Sequence, residues 1–210
     1  VFISWSAQNI DRTCTIYRAC KRAGRDLYLD VYSLDVLERL AALGARLPTL
    51  GAPNLKAVIT SSTVNLYNDP SRLNNPALVS RYARSGRACS ATKLNSIGQR
   101  GVFMLRSSLF RNYLQKGVTL TPGDRWLFSL WAGYLAQQSF TDIEQAFSGA
   151  GAQIHHVHTS GHASTPDLID FANHVAARHL VPIHSDDWDS HTQLFSKVER
   201  LMDNQPFSIA

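Results

Sequence analysis

Val1-Phe2-Ile3-Ser4-Trp5, then Ser6-Ala7-Gln8-Asn9, then a helical run to Gly24, then Leu27-Tyr28-Leu29-Asp30-Val31, then a second helical run to Gly44: this opening decides the fold. Residues 1–5 are apolar and of strand length. Residues 6–9 make a polar turn, and Asn9 is a good N-cap. Ile10, Cys14, Tyr17 and Cys20 follow at helical spacing, and Gly24 closes that helix. Residues 27–31 are a second strand, running out at Asp30-Val31-Tyr32. Residues 33–43 are a second helix, closed by Gly44. Strand, helix, strand, helix predicts an α/β fold with a Rossmann-like parallel sheet flanked by helices. In such sheets the working residues lie beyond the C-terminal ends of the strands. Ser6, Gln8, Asn9 and Asp30 fall at that edge.

Outward from this opening the signals thin. Residues 48–55 are turn-rich, 56–61 suit a strand, and 65–75 are a loop rich in Asn, Asp and Pro. Residues 78–84 suit a short helix, 101–105 a strand, 107–115 a helix, 125–130 a strand and 141–147 a helix. Arg81, Arg84, Arg87, Lys93 and Arg100 form a basic stretch that is either a solvated surface or a set of phosphate contacts, the first being the commoner meaning. Trp126, Trp131 and Tyr134 are close together and are expected in the core rather than as base-stacking platforms.

A chain of 210 residues has room for one large or two small domains. No run of about 18 apolar residues occurs, so no membrane span is expected, and no signal peptide is expected in the sequence either. The chain starts directly on a strand without Met, as a piece of a longer protein would. Cys14, Cys20 and Cys89 are odd in number and include no Cys-x-x-Cys, so they are expected as reduced thiols of a cytoplasmic protein. The net charge is +5. That charge, carried mostly by Arg, permits nucleic-acid binding, because guanidinium forks match phosphate geometry. No Gly-x-Gly-x-x-Gly, Walker loop or Gly-x-Ser-x-Gly elbow is present, which leaves dinucleotide enzymes and serine hydrolases without support.

The histidines gather near the end, in Ile154-His-His-Val-His158-Thr-Ser160-Gly161-His162-Ala163 and in Leu180-Val-Pro-Ile-His184-Ser-Asp186. Thr165-Pro166-Asp167 signals a helix start, with Thr as cap, Pro at the first position and an acid in the first turn. His158, Ser160 and Gly161 therefore lie on the turn feeding a helix N-terminus, where backbone N–H groups and the helix dipole attract phosphate. His162 follows a Ser-Gly turn, and His184 ends the short apolar run 180–183, where a strand would stop. An imidazole so placed can ligate a metal or move a proton. His155, His174, His179 and His191 are expected to be ordinary surface or satisfied residues.

His158-Thr-Ser-Gly-His162-Ala163, a helix, and then Pro182-Ile183-His184 resemble the C-terminal signature of the β-CASP metallo-β-lactamase nucleases, the ribonuclease J-like group. The opening extends the resemblance. Ser6, Gln8 and Asn9 with Arg12 after them, followed by a strand ending in Asp30, are similar to the start of the β-CASP cassette. Ser185-Asp186 stands where that family commonly has Gly-Glu. The resemblance implies a β-CASP domain over residues 1–152. It implies a return segment to the metallo-β-lactamase scaffold over residues 153–210. It implies hydrolysis of phosphodiester bonds in RNA, with DNA as the other candidate substrate, at a centre holding two zinc ions. Metals there generate hydroxide and stabilise developing charge. Residue by residue, His184 would be a zinc ligand. His162 would act as general acid or transition-state stabiliser, and Asp30 would orient it through its other ring nitrogen. Ser6, Gln8, Asn9, Arg12, His158, Ser160 and Gly161 would hold substrate phosphates.

The family's His-x-His-x-Asp-His metal motif is absent from the sequence, since Thr159-Ser160 follows His156-Val-His158. A zinc site needs three or four protein ligands. The chain is therefore expected to be a nuclease fragment, inert without the metallo-β-lactamase half. The competing classes are a nucleic-acid-binding module that was never catalytic and an unrelated α/β protein with a chance histidine cluster. The apolar face of the return segment, with Val175, Leu180, Val181 and Ile183, is expected either to fold back on the cassette's own sheet or to pair with a second copy as a homodimer.

Overall fold

The alternation of the first 44 residues continues to the seventh strand. In the computed structural model, which describes residues 1–158, 163–183 and 189–208, the strands are β1 (Phe2–Ser4), β2 (Asp26–Asp30), β3 (Leu55–Ile59), β4 (Ala88–Ser90), β5 (Gly101–Met104), β6 (Arg125–Phe128) and β7 (Gln153–His156). The helices are α1 (Ile10–Arg22), α2 (Val31–Ala42), α3 (Ser61–Asn68), α4 (Pro76–Arg84), α5 (Leu94–Ile97), α6 (Ser107–Gln115), α7 (Gln138–Gly149) and α8 (Thr165–Val175). The sheet order is β4-β3-β2-β5-β1-β6-β7, and every pairing is parallel. The expected Rossmann-like α/β fold is what forms. The chain leaves β1 in one direction, toward β2, and leaves β5 in the other, toward β6. The β1–β5 gap is therefore the point where the winding reverses, and its C-terminal mouth is where such sheets place ligands.

Both faces of the sheet are covered. On one, Tyr28, Phe103, Phe2 and Trp126 line up across four strands, with ring centroids 4.9 Å apart for Tyr28–Phe103 and 5.4 Å for Phe2–Phe103. Phe147 of α7 caps this row, 5.4 Å from Phe2 and 5.8 Å from Trp126, and Phe110 of α6 lies 6.2 Å from Phe147. The Trp126 indole N–H donates to Ser4 Oγ at 2.9 Å, which satisfies its polar end inside the layer. On the other face, buried Trp5 donates to Thr13 Oγ1 of α1 at 2.8 Å. Each buried aromatic or aliphatic side chain here contributes about 1.5–3 kcal/mol. Such a layer fixes the strand ends rigidly.

Several local expectations differ. Asn65 to Asn68 are not loop: Thr60 accepts from Thr63 N–H and starts α3, and the Tyr67 hydroxyl, buried, donates to Asp35 at 2.9 Å. The α8 cap is Ser164 rather than Thr165, so Pro166 sits one place further into the first turn. The run 180–183 is not a strand but makes one isolated parallel bridge, Leu180 to Val198. Trp126 is buried as expected, whereas Trp131 and Tyr134 are 58% and 42% exposed. Of the basic stretch, Arg81 pairs with Glu38, Arg84 donates to Ser80 O and Arg87 to Ala52 O, so much of it tethers its own surroundings. Cys14, Cys20 and Cys89 are free thiols, and burial pushes the Cys20 thiol up to about 11.

The chain divides into two compact units, Val1–Thr159 and Ser160–Ala210. The first holds the whole sheet, including β7, which the sequence boundary at 152 had given to the return segment. The second is built on α8, the Leu180–Val198 bridge and a 3-10 segment, Asp189–Leu194. Among the described residues no helix is long and apolar enough to cross a membrane.

Candidate nucleic-acid interface

The C-terminal edge of the sheet collects polar side chains from five successive strand ends. After β1 the turn at residues 6–9 closes through Asn9 N–H to Ser6 O at 3.0 Å. Asn9 Oδ1 then accepts from Arg12 N–H at 2.9 Å and starts α1, as its position predicts. Ser6, Gln8 and Asn9 are exposed, and Ala7 between them is buried and anchors the turn. Arg12, one turn into α1, reaches across to β6 and donates to Ser129 Oγ at 2.5 Å. Ser129 N–H in turn donates to Ser4 O at 2.8 Å, so the ends of β1 and β6 are tied on both sides.

Asp30 is 1% exposed at the end of β2. Its carboxylate caps α2, accepting from the Ser33 backbone N–H at 3.2 Å and from the Ser33 hydroxyl. Its other oxygen accepts from the guanidinium of Arg106, which lies two residues past β5 and directly precedes α6. β2 and β5 are neighbours, so the pair closes one side of the winding-reversal gap. Arg106 also lies against the Tyr32 ring, 5.6 Å from its centroid, and its Nε–H is buried with no acceptor among the described residues. Asp30 is thus both a helix cap and half of an ion pair. Among the described residues three donors reach its carboxylate, which has about four acceptor sites.

At the far end of the edge, His156 Nε2 meets Leu130 O at 3.0 Å, beside the end of β6. The His158 ring lies nearly parallel to that of His156, at 11° with centroids 6.1 Å apart. His158 Nδ1 is buried and has no partner among the described residues. Two of the four histidines expected to be ordinary are satisfied locally. His174 meets Asp170 and His179 meets Glu199.

One body therefore holds Ser6, Gln8, Asn9, Arg12, Asp30 and His158 at a single edge. Ser160, Gly161, His162 and His184 lie outside the described residues, as does the expected approach of Asp30 to His162. Arg106, Ser129 and His156 belong to the edge and were not singled out from the sequence. Arg106 was findable, because it directly follows the strand predicted over 101–105, whereas Ser129 falls inside the strand predicted over 125–130, which ends at Phe128. Among the described residues no three His, Cys, Asp or Glu side chains converge as metal ligands. The described residues do not assemble a zinc site, and what they can do chemically is grip phosphate and orient a carboxylate.

No curated protein matches the chain. Residues 151–200 match the family model described as the Zn-dependent metallo-hydrolase RNA specificity domain, consistent with the metallo-β-lactamase/β-CASP family. The matched segment starts at β7, on the sheet whose edge carries the site, and runs through α8.

Proposed function

We propose that this chain is the RNA-gripping part of a zinc-dependent β-CASP nuclease that hydrolyses phosphodiester bonds. One observation carries the reading. β7 lies inside the segment that matches the RNA specificity domain, and it pairs in register with β6, Arg125 to Gln153 through Phe128 to His156. The first strand of the RNA-specificity match and the polar strand ends thus share one sheet. On this reading Arg12 and the turn at residues 6–9 take substrate phosphates, and His158 offers its ring beside them. Asp30, held by Arg106 and Ser33, keeps its orientation and uses its remaining acceptor site to align His162 as general acid. His184 contributes to the metal centre, whose other ligands come from a metallo-β-lactamase domain outside these residues.

The test is binding of a labelled single-stranded RNA across a salt series, with DNA of the same sequence alongside. Each phosphate contact that releases a counterion adds about one unit to the slope of log K against log salt. Arg12→Ala should weaken binding on all sequences and lower that slope by about 1. Arg12→Ala with wild-type affinity and slope would remove the assigned phosphate contact. Equal affinity for DNA would remove the RNA preference.

A further inference from the structure

We propose that Trp131 and Tyr134 form a stacking platform for a nucleobase of single-stranded RNA, beside the phosphate-gripping edge. The inference deepens the reading above and rests on it. The two residues lie in the 3-10 turn that directly follows β6, with Trp131 as its cap and Ala132–Ala136 as its body. They are three and six residues past Phe128, where the strand ends, and Trp131 is two residues past Ser129, which holds Arg12. His156 contacts the carbonyl of Leu130, the residue before Trp131. A base stacked here would therefore have its own backbone next to Arg12 and the polar edge.

The platform is built rather than incidental. The rings of Trp131 and Tyr134 meet edge to face, with centroids 5.7 Å apart at 84°. Gly133 makes room for the indole: a Cβ at that position would lie 2.3 Å from two ring atoms of Trp131. The turn is closed by Tyr134 N–H to Trp131 O and Gln137 N–H to Tyr134 O, both 3.0 Å. Leu135, between the two exposed aromatics and the helix, packs against the core. So the indole is held in place and still more than half exposed. A rigid exposed aromatic beside bound phosphate is the arrangement by which proteins take unpaired bases, because every base has a π-face. A protein partner would also use exposed aromatics, but it would leave Arg12 and the adjacent polar strand ends without a role.

The experiment compares two labelled ten-nucleotide probes, an RNA and a ribose-phosphate chain of the same length with no bases. Trp131→Ala should weaken binding of the RNA by about 5- to 140-fold, the range for losing one stacked base, and leave the abasic probe unchanged. Trp131→Phe should retain most of the affinity. Gly133→Ala should fall between, because its methyl group displaces the indole. Trp131→Ala with unchanged RNA affinity, or with equal loss on both probes, overturns the platform. If the wild-type chain binds both probes equally and Arg12→Ala weakens both, the phosphate-binding reading stands and the platform falls. If the wild-type chain binds neither probe, both fall.

Discussion

Asp30 is a charge buried almost completely, and a lone buried carboxylate would take up a proton or unfold its surroundings. Arg106 and Ser33 are what make it tolerable. Removing one partner of a buried pair leaves the other uncompensated, which costs about 3–5 kcal/mol when both are fully buried. The Arg106 side chain is 32% exposed, so Arg106→Ala should cost less, about 2–3 kcal/mol. Arg39 pairs with Asp35 on the next helix turn, but its side chain is 64% exposed and Asp35 keeps the Tyr67 hydroxyl. Arg39→Ala should therefore cost under about 1 kcal/mol. Urea unfolding of both variants checks this. If the two lose the same stability, Arg106 is not what holds Asp30. The sequence could show that an acid ended β2 but not that an arginine answered it. Asp30 and Arg106 are 76 residues apart, and only the insertion of β5 beside β2 brings them together.

At the scale of elements, the parts with strong periodic signal were legible. β1, β2, β5 and β6, with α1, α2 and α6, all form within a few residues of where the pattern puts them. What was missed has a physical reason. α3 is written Ser-Ser-Thr-Val-Asn-Leu-Tyr-Asn, which is poor in helix formers, and it forms because Thr60 caps it and Tyr67 is buried against Asp35. β7, as Gln-Ile-His-His, carries only one apolar residue and is an edge strand, recruited by β6. Trp131 has the composition of a core residue, and nothing local reveals that the chain turns outward there. The strands also depend on one glycine. A methyl group at Gly101 would meet the Phe103 ring at 2.3 and 2.6 Å and Ile97 Cγ2 at 3.0 Å. Phe103 cannot swing away, being packed between Phe2 and Tyr28. Gly101→Ala should therefore cost about 1–3 kcal/mol by overpacking, a fall of about 2–4 °C in Tm per kcal/mol for a chain of this size. At Gly123 the nearest atom is 3.7 Å away, so Gly123→Ala should be neutral. Thermal melts that shift equally for both variants would mean that the aromatic row can repack around Gly101.

At the scale of the whole molecule, the two units differ in how well they bury their apolar residues. The first encloses a continuous aromatic and aliphatic core. The second leaves Phe171 67% and Ile183 84% exposed, with Leu168 and Val175 also open to solvent. Leu168, Phe171, Val175, Leu180, Ile183 and Phe195 line one groove of about 700 Å³ within that unit. A contiguous apolar patch of this kind favours association. Each apolar side chain that such contact buries is worth about 1.5–3 kcal/mol. A second copy is the partner always present in a purified sample, and identical faces pair by two-fold symmetry. The chain is therefore expected to form a dimer as its concentration rises, with the α8 face at the contact. Phe171→Asp places a charge on that face, so it should hold the chain monomeric without lowering its unfolding temperature. Light scattering over a concentration series measures both chains. Equal masses for wild type and Phe171→Asp at every concentration would show that this face does not bring two copies together.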